Sequence, residues 1–152
     1  MQITQTHAKP ITLDDLPLGQ EFSCGAFTLT EAEIIAFASA YDPQPWHLDD
    51  AAARLTYFNG LCASGLHSQG AAIGLVVRAI SNVAIVAGGS LHEARFFVPV
   101  RPNQAYEVCA TWTTARASAS NPARGVASIA IVARDAQGVA VMECGVTYIV
   151  GR

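Results

Sequence analysis

Between Gly65 and about Ser81 the chain carries Leu66, Gly70, Ala71, Ala72, Ile73, Gly74, Val76, Val77 and Ile80, so apolar and small residues run almost all the way round a helix. A helix of this kind has to be enclosed, and its Gly and Ala positions let a neighbouring sheet approach closely. Gly74 is expected to have no room for a larger side chain, so that Gly74→Leu would overpack the core. After this helix the period changes to two. Tyr106, Val108, Ala110 and Trp112 alternate with Glu107, Cys109, Thr111 and Thr113, and Ala140, Met142, Cys144, Val146, Tyr148 and Val150 repeat the pattern. Asn121-Pro122-Ala123-Arg124-Gly125 and Asp135-Ala136-Gln137-Gly138 are turn signals between strands expected at Val126 to Arg134 and Val139 to Val150. With a further strand at about Leu91 to Val98, the order predicts an α+β architecture, one buried helix against a curved antiparallel sheet.

The first half is punctuated differently. Residues 1 to 19 read as a lead-in arm ending in Leu16-Pro17-Leu18-Gly19, before a first strand at about Gln20 to Leu29. Thr30-Glu31-Ala32-Glu33 is a capping box, with Ile34, Ile35, Phe37 and Ala38 on the apolar face of the helix it opens. That helix is expected to stop at about Tyr41, because Pro43 disfavours helical geometry at Asp42. Asp42 to His47 then reads as a loop stiffened by Pro43 and Pro45, and Asp49 as the N-cap of a short helix at Asp50 to Leu55.

At 152 residues the chain is expected to form a single domain over 1–152. It is 51% hydrophobic and only 14% charged, against roughly 25% charged in typical globular chains. Either its surface is small or part of it is covered in a homo-oligomer. Nine scattered Lys and Arg at net charge −3 offer no footprint for a phosphate backbone, which excludes nucleic acid as the expected partner. The first ten residues lack a basic region followed by an apolar run, so no secretory signal is read. The most apolar stretch, Leu61 to Gly89, is interrupted by Ser64, His67, Gln69, Arg78 and Asn82, and no membrane span is expected. Cys24, Cys62, Cys109 and Cys144 are far apart and form no metal-ligand spacing, so reduced thiols in a cytoplasmic protein without a metal are expected.

The chemistry-bearing stretch is Tyr41-Asp42-Pro43-Gln44-Pro45-Trp46-His47-Leu48-Asp49, followed by Ala63-Ser64-Gly65. Asp42 and His47, five residues apart on a proline-stiffened loop, can turn toward one point and share a water, one taking a proton and the other giving one. The same residues have plainer readings: Asp42 as a cap ending the preceding helix, and His47 as a loop histidine held by a backbone carbonyl. Gly65, behind Ser64 as N-cap, presents one of the unpaired N–H groups of a helix N-terminus, where a negatively charged oxygen could sit. Gly65 also suits close helix–sheet packing. His67, one turn on, reads either as a lining residue of the same cavity or as a locally bonded helix-surface histidine.

The Asp-x-x-Pro-x-His pattern at Asp42, Pro45 and His47, the following Leu48-Asp49 and Ala63-Ser64-Gly65 resemble the MaoC-like dehydratases, relatives of the R-specific enoyl-CoA hydratases. Leu13 to Gln20, Thr30 to Ala38 and Pro99-Val100-Arg101-Pro102 extend the resemblance over nearly the whole chain. It implies a hotdog fold, a homodimer whose sheets join side by side, and an acyl-CoA or acyl carrier protein thioester as substrate, with no separate cofactor. Residue by residue it implies Asp42 and His47 as the catalytic pair and Gly65 as the backbone N–H donor to the thioester oxygen; Ser64 and His67, by their places at the start of the same helix, join Gly65 as oxyanion or substrate-binding candidates. Two departures stand out: Ser64 replaces the His that many of these enzymes carry before the glycine, and Pro102-Asn103-Gln104 replaces Pro-Gly-Asp. Asn103 can adopt the left-handed conformation that such a turn asks of Gly.

The resemblance implies reversible hydration of a trans-2-enoyl thioester. Two alternatives remain: a thioesterase, which a free-thiol assay would distinguish, and a catalytically silent acyl-CoA-binding subunit, which the co-occurrence of Asp42, His47 and Gly65 argues against. Arg78, Arg95, Arg101, Arg116 and Arg124 are the cations available to coenzyme A phosphates, and sequence does not rank them.

Overall fold

A computed structural model describes residues 9–152. The elements run β1 (Glu21–Thr28), α1 (Glu31–Tyr41), α2 (Pro45–Leu48), α3 (Asp50–Arg54), α4 (Gly65–Ala79), β2 (Ile85–Phe96), β3 (Ala105–Ala117), β4 (Arg124–Arg134) and β5 (Ala140–Gly151). The strands form one antiparallel sheet in the order β1-β3-β4-β5-β2. This is the expected α+β architecture: four helices precede a long meander, and the first strand closes one side of it.

Period two decides which face of the sheet is buried. Val108, Ala110 and Trp112 of β3, Ala127, Ile129, Ile131 and Ala133 of β4, and Met142, Val146 and Val150 of β5 pack with Ala72 and Val76 of α4 in one core. Asn103 precedes β3 at φ +60°, the left-handed conformation its short polar side chain tolerates. Both predicted caps form: Glu33 N–H donates to Thr30 Oγ1 at 3.2 Å while Thr30 N–H donates to Glu33 Oε2 at 2.7 Å, and Ala52 N–H donates to Asp49 Oδ1 at 2.7 Å.

Three expectations are corrected. Only Ser68, Ala72 and Val76 of α4 are buried, and Leu66 and Val77 are about half exposed, because one five-stranded sheet covers a single face of the helix. Gly74 is not tight: a Cβ there would meet only the flexible Arg78 guanidinium, at 3.4 Å. β2 begins at Ile85 rather than Leu91, and as an edge strand exposed along nearly its whole length it lacks the alternation that marks a half-buried strand. Of the lead-in arm, residues 1–8 lie outside the described residues; in the rest Leu13 and Leu16 are buried and Ile11 is bridged to Val83, while most of its other residues are exposed. All four cysteines are free thiols, Cys62, Cys109 and Cys144 buried and Cys24 half-buried. Among the described residues no helix is long and apolar enough to cross a membrane.

Candidate active site

The Asp42–His47 stretch is not all loop. Asp42 is the C-cap of α1, its N–H donating to Ala38 O at 2.9 Å. Pro43 and Gln44 are extended or irregular, and Pro45 then opens the single turn of α2, where its preset φ and missing N–H fit the first helical position. This turn carries His47 inward, and His47 is 5% exposed.

Two elements aim the imidazole. Cys62 N–H donates to Trp46 O at 3.2 Å, which lays residue 62 beside α2, and Cys62 O in turn lies 2.7 Å from His47 Nδ1. A carbonyl only accepts, so Nδ1 carries the hydrogen and the lone pair of neutral His47 is on Nε2. Nε2 lies 3.6 Å from Asp42 Oδ2. Asp42 Oδ2 accepts from Ser64 Oγ at 2.6 Å and Oδ1 from Gln44 Nε2 at 2.8 Å. Chiefly the Ser64 hydroxyl, helped by Gln44 and His47 against the cost of partial burial, holds the Asp42 carboxyl below its ordinary value. The plainer sequence readings hold too: Asp42 does cap a helix and His47 does bond a carbonyl, and those contacts are what orient the pair.

Ser64 is the N-cap of α4 as expected, accepting from Leu66 N–H at 3.3 Å. The Gly65 N–H has no hydrogen-bond partner among the described residues and lies beside the pair at the positive end of α4. A Cβ on Gly65 would stand 2.7 Å from the Phe96 ring, so any side chain there has to displace that ring. Asp42, His47 and Gly65 share a cavity of about 340 Å³ whose walls include Trp46, Phe58, Leu66, Phe96, Phe97 and Val141.

His67 does not line this cavity. It faces α1, stacked on Phe37 at 4.4 Å with the planes 7° apart, and its Nδ1 is buried without a partner among the described residues. Burial lowers its pKa from the ordinary 6.5, with Glu33 opposing. Arg101 is not free for a phosphate either: its guanidinium donates to Gly60 O at 2.7 Å, to Leu61 O at 3.2 Å and to Phe58 O. Arg95 pairs with Glu93 at 2.8 Å. A larger hollow of about 470 Å³ lies on the sheet face turned away from α4, among Glu21, Arg95, Arg134 and Glu143, and holds neither member of the pair.

Sequence reasoning missed three contacts: Gln44 and Trp46, whose nearness to Asp42 and His47 along the chain was a usable hint, and Phe96, which nothing local connects to Gly65. No three His, Cys, Asp or Glu side chains gather at metal-binding distance among the described residues.

The model of the MaoC like domain matches residues 15–132, which include the pair, Gly65 and most of the sheet. The chain belongs to the MaoC-like domain family. Among solved structures, a MaoC-like dehydratase from Rhodospirillum rubrum is 31% identical, with a TM-score of 0.82 over 93% of this chain and 97% of that one. The R-hydratase PhaJ1 of Pseudomonas aeruginosa shares the fold at 20% identity, with a TM-score of 0.72 over 93% of this chain and 86% of that one. The uncharacterized protein YdeM of Bacillus subtilis is 30% identical over 92 residues, 60% of this chain and 65% of YdeM, so the match spans a little under two thirds of that relative. The MaoC-like chain therefore has the hotdog fold, the curved five-stranded sheet and helix α4 described above.

Proposed function

We propose that this MaoC-like protein is an acyl-thioester hydratase or dehydratase, adding water reversibly to a trans-2-enoyl thioester of coenzyme A or acyl carrier protein. The observation that carries the reading is the convergence of Asp42 Oδ2 and His47 Nε2, 3.6 Å apart, beside the Gly65 N–H, unpaired among the described residues, in one largely apolar cavity. A water held by the two acceptors adds its oxygen to the β-carbon. The pair takes the water's proton and returns one to the α-carbon, so that H and OH are added net. Between these events negative charge collects on the thioester oxygen, where Gly65 N–H and the end of α4 stabilise it; one such donor is worth about 3 kcal/mol in comparable sites. Dehydration of a 3-hydroxyacyl thioester is the same path reversed. Asp42, its carboxyl held below the ordinary value, and the Nε2 lone pair of His47 enter the cycle as acceptors, and the aromatic and aliphatic walls suit an acyl chain.

We read the protein as a homodimer, supported by the open edge of β2 and the half-exposed apolar residues Leu66 and Val77. We read its compartment as the cytoplasm, where four unpaired thiols persist. The test is loss of the enoyl-thioester ultraviolet absorbance on short, medium and branched trans-2-enoyl-CoAs, with Asp42→Asn alongside. Turnover by the wild type that falls on the order of 10²-fold or more in Asp42→Asn supports the proposal. Equal rates would remove the site assignment, and release of free thiol would make the protein a thioesterase instead.

A further inference from the structure

The one lone pair of His47 that faces the cavity is already occupied. Trp46 Nε1–H donates to His47 Nε2 at 3.1 Å, the two rings meeting edge-on at 73°. Nδ1 cannot take over, because it donates to Cys62 O at 2.7 Å. An N–H cannot donate to a nitrogen that itself bears a proton. The Trp46 bond and a proton on Nε2 are therefore mutually exclusive, and so are that bond and a water donating to Nε2. Trp46 is also held in place: its ring lies against Phe58 at 5.3 Å, and α2 fixes its backbone next to that of His47.

We propose that Trp46 is a positioning residue that caps His47 Nε2 and releases it when water or a thioester engages the pair. The contact itself is independent of the reaction; its catalytic meaning rests on the hydratase reading of His47. In the capped state His47 stays neutral and in one tautomer, and its ring cannot turn toward Asp42 to close the gap of 3.6 Å. Release frees Nε2 and, with it, an indole N–H at the cavity wall. The other groups facing His47 are the Asp42 carboxylate and the Cys62 thiol at 3.7 Å, with the Arg101 guanidinium behind the loop that carries Cys62.

The experiment follows the His47 ring nitrogens and the Trp46 indole N–H by NMR in the full-length, substrate-free protein as pH is lowered, in the wild type and in Trp46→Phe. In the wild type the Trp46 indole signal is expected to shift with the same midpoint as His47, while that of the core residue Trp112 stays fixed. In Trp46→Phe the neutral ring loses its donor, so the His47 midpoint is expected to rise by about 0.5 to 1 pH unit, the equivalent of one ordinary hydrogen bond. A Trp46 signal indifferent to the His47 titration overturns the proposal without any variant being needed, and so does an unmoved midpoint in a folded Trp46→Phe. Neither readout depends on turnover. A failed hydratase reading would show as an inactive protein with this signature intact, and a failed cap as a missing signature in an active one.

Discussion

Ser64 Oγ donates to Asp42 Oδ2 at 2.6 Å, so one hydroxyl ties the N-cap of α4 to the C-cap of α1. That bond is the main reason the Asp42 carboxyl sits below its ordinary value. Ser64→Ala is expected to move the Asp42 titration up toward that value and to cost about 1 kcal/mol through the lost cap. A carboxylate lowered in the folded state contributes stability that is present above its unfolded pKa and is lost as pH falls through the folded one. The variant should therefore lose less stability than the wild type on acidification through the carboxylate range. Carboxyl-detected NMR and melts at several pH values check both effects.

His47→Gln should remove turnover and also lower thermal stability, because the ring is buried and its Nδ1–H satisfies Cys62 O. Leaving that buried carbonyl short of a donor costs about 1 to 3 kcal/mol. Asp42→Asn, at the more open member of the pair, should lose activity with little change in melting temperature. Comparing the two melts separates the orienting contact from the chemistry.

A Cβ on Gly65 would stand 2.7, 2.8 and 2.9 Å from three atoms of the Phe96 ring. Gly65→Ala is expected to destabilise by about 1 to 3 kcal/mol and to impair turnover by displacing the wall of the cavity. Phe96→Ala in the same chain should recover much of that stability. A double-mutant cycle reads the coupling, and strict additivity would show that the ring swings aside at no cost.

Arg101 supplies donors to three carbonyls in the segment from Phe58 to Leu61, next to the Cys62 that orients His47. Arg101→Met should cost about 2 to 3 kcal/mol in urea unfolding and loosen His47 with it. Arg101→Lys should fall between, since an ammonium cannot span the three acceptors as a planar fork does.

Burial holds the His67 pKa below the ordinary 6.5, with Glu33 opposing, while Phe37 stacks on its ring. The unfolded chain then binds the proton first, so the wild type should lose stability as pH falls from about 6.5 toward the lowered value. His67→Gln should show a flatter profile in that window, by melts at about pH 7.5 and about pH 5.

What could be read from the sequence follows the range of each signal. The capping box at Thr30, the N-caps at Asp49 and Ser64 and the alternation of β3 to β5 are encoded within a few residues, and all of them form. Asp42, His47 and Gly65 are legible as candidates in the sequence, and they line one cavity. His67 is drawn into the set by its nearness to Gly65, yet two residues turn it about 200° round α4, to the face that meets α1. The first six residues of the edge strand β2 are not legible in the sequence because an exposed strand has no hydrophobic period to detect. Phe96 over Gly65 joins residues 31 apart, a contact that only the closed sheet brings about.

Phe96 holds two positions at once: it is the last residue of the open edge strand β2, and its ring lies against the donor end of α4. A strand laid along that edge and an acyl chain entering the cavity would press on the same side chain from two sides. On the homodimer and acyl-thioester readings proposed above, assembly and substrate fit would act on one side chain, and a change made to suit one would be felt by the other.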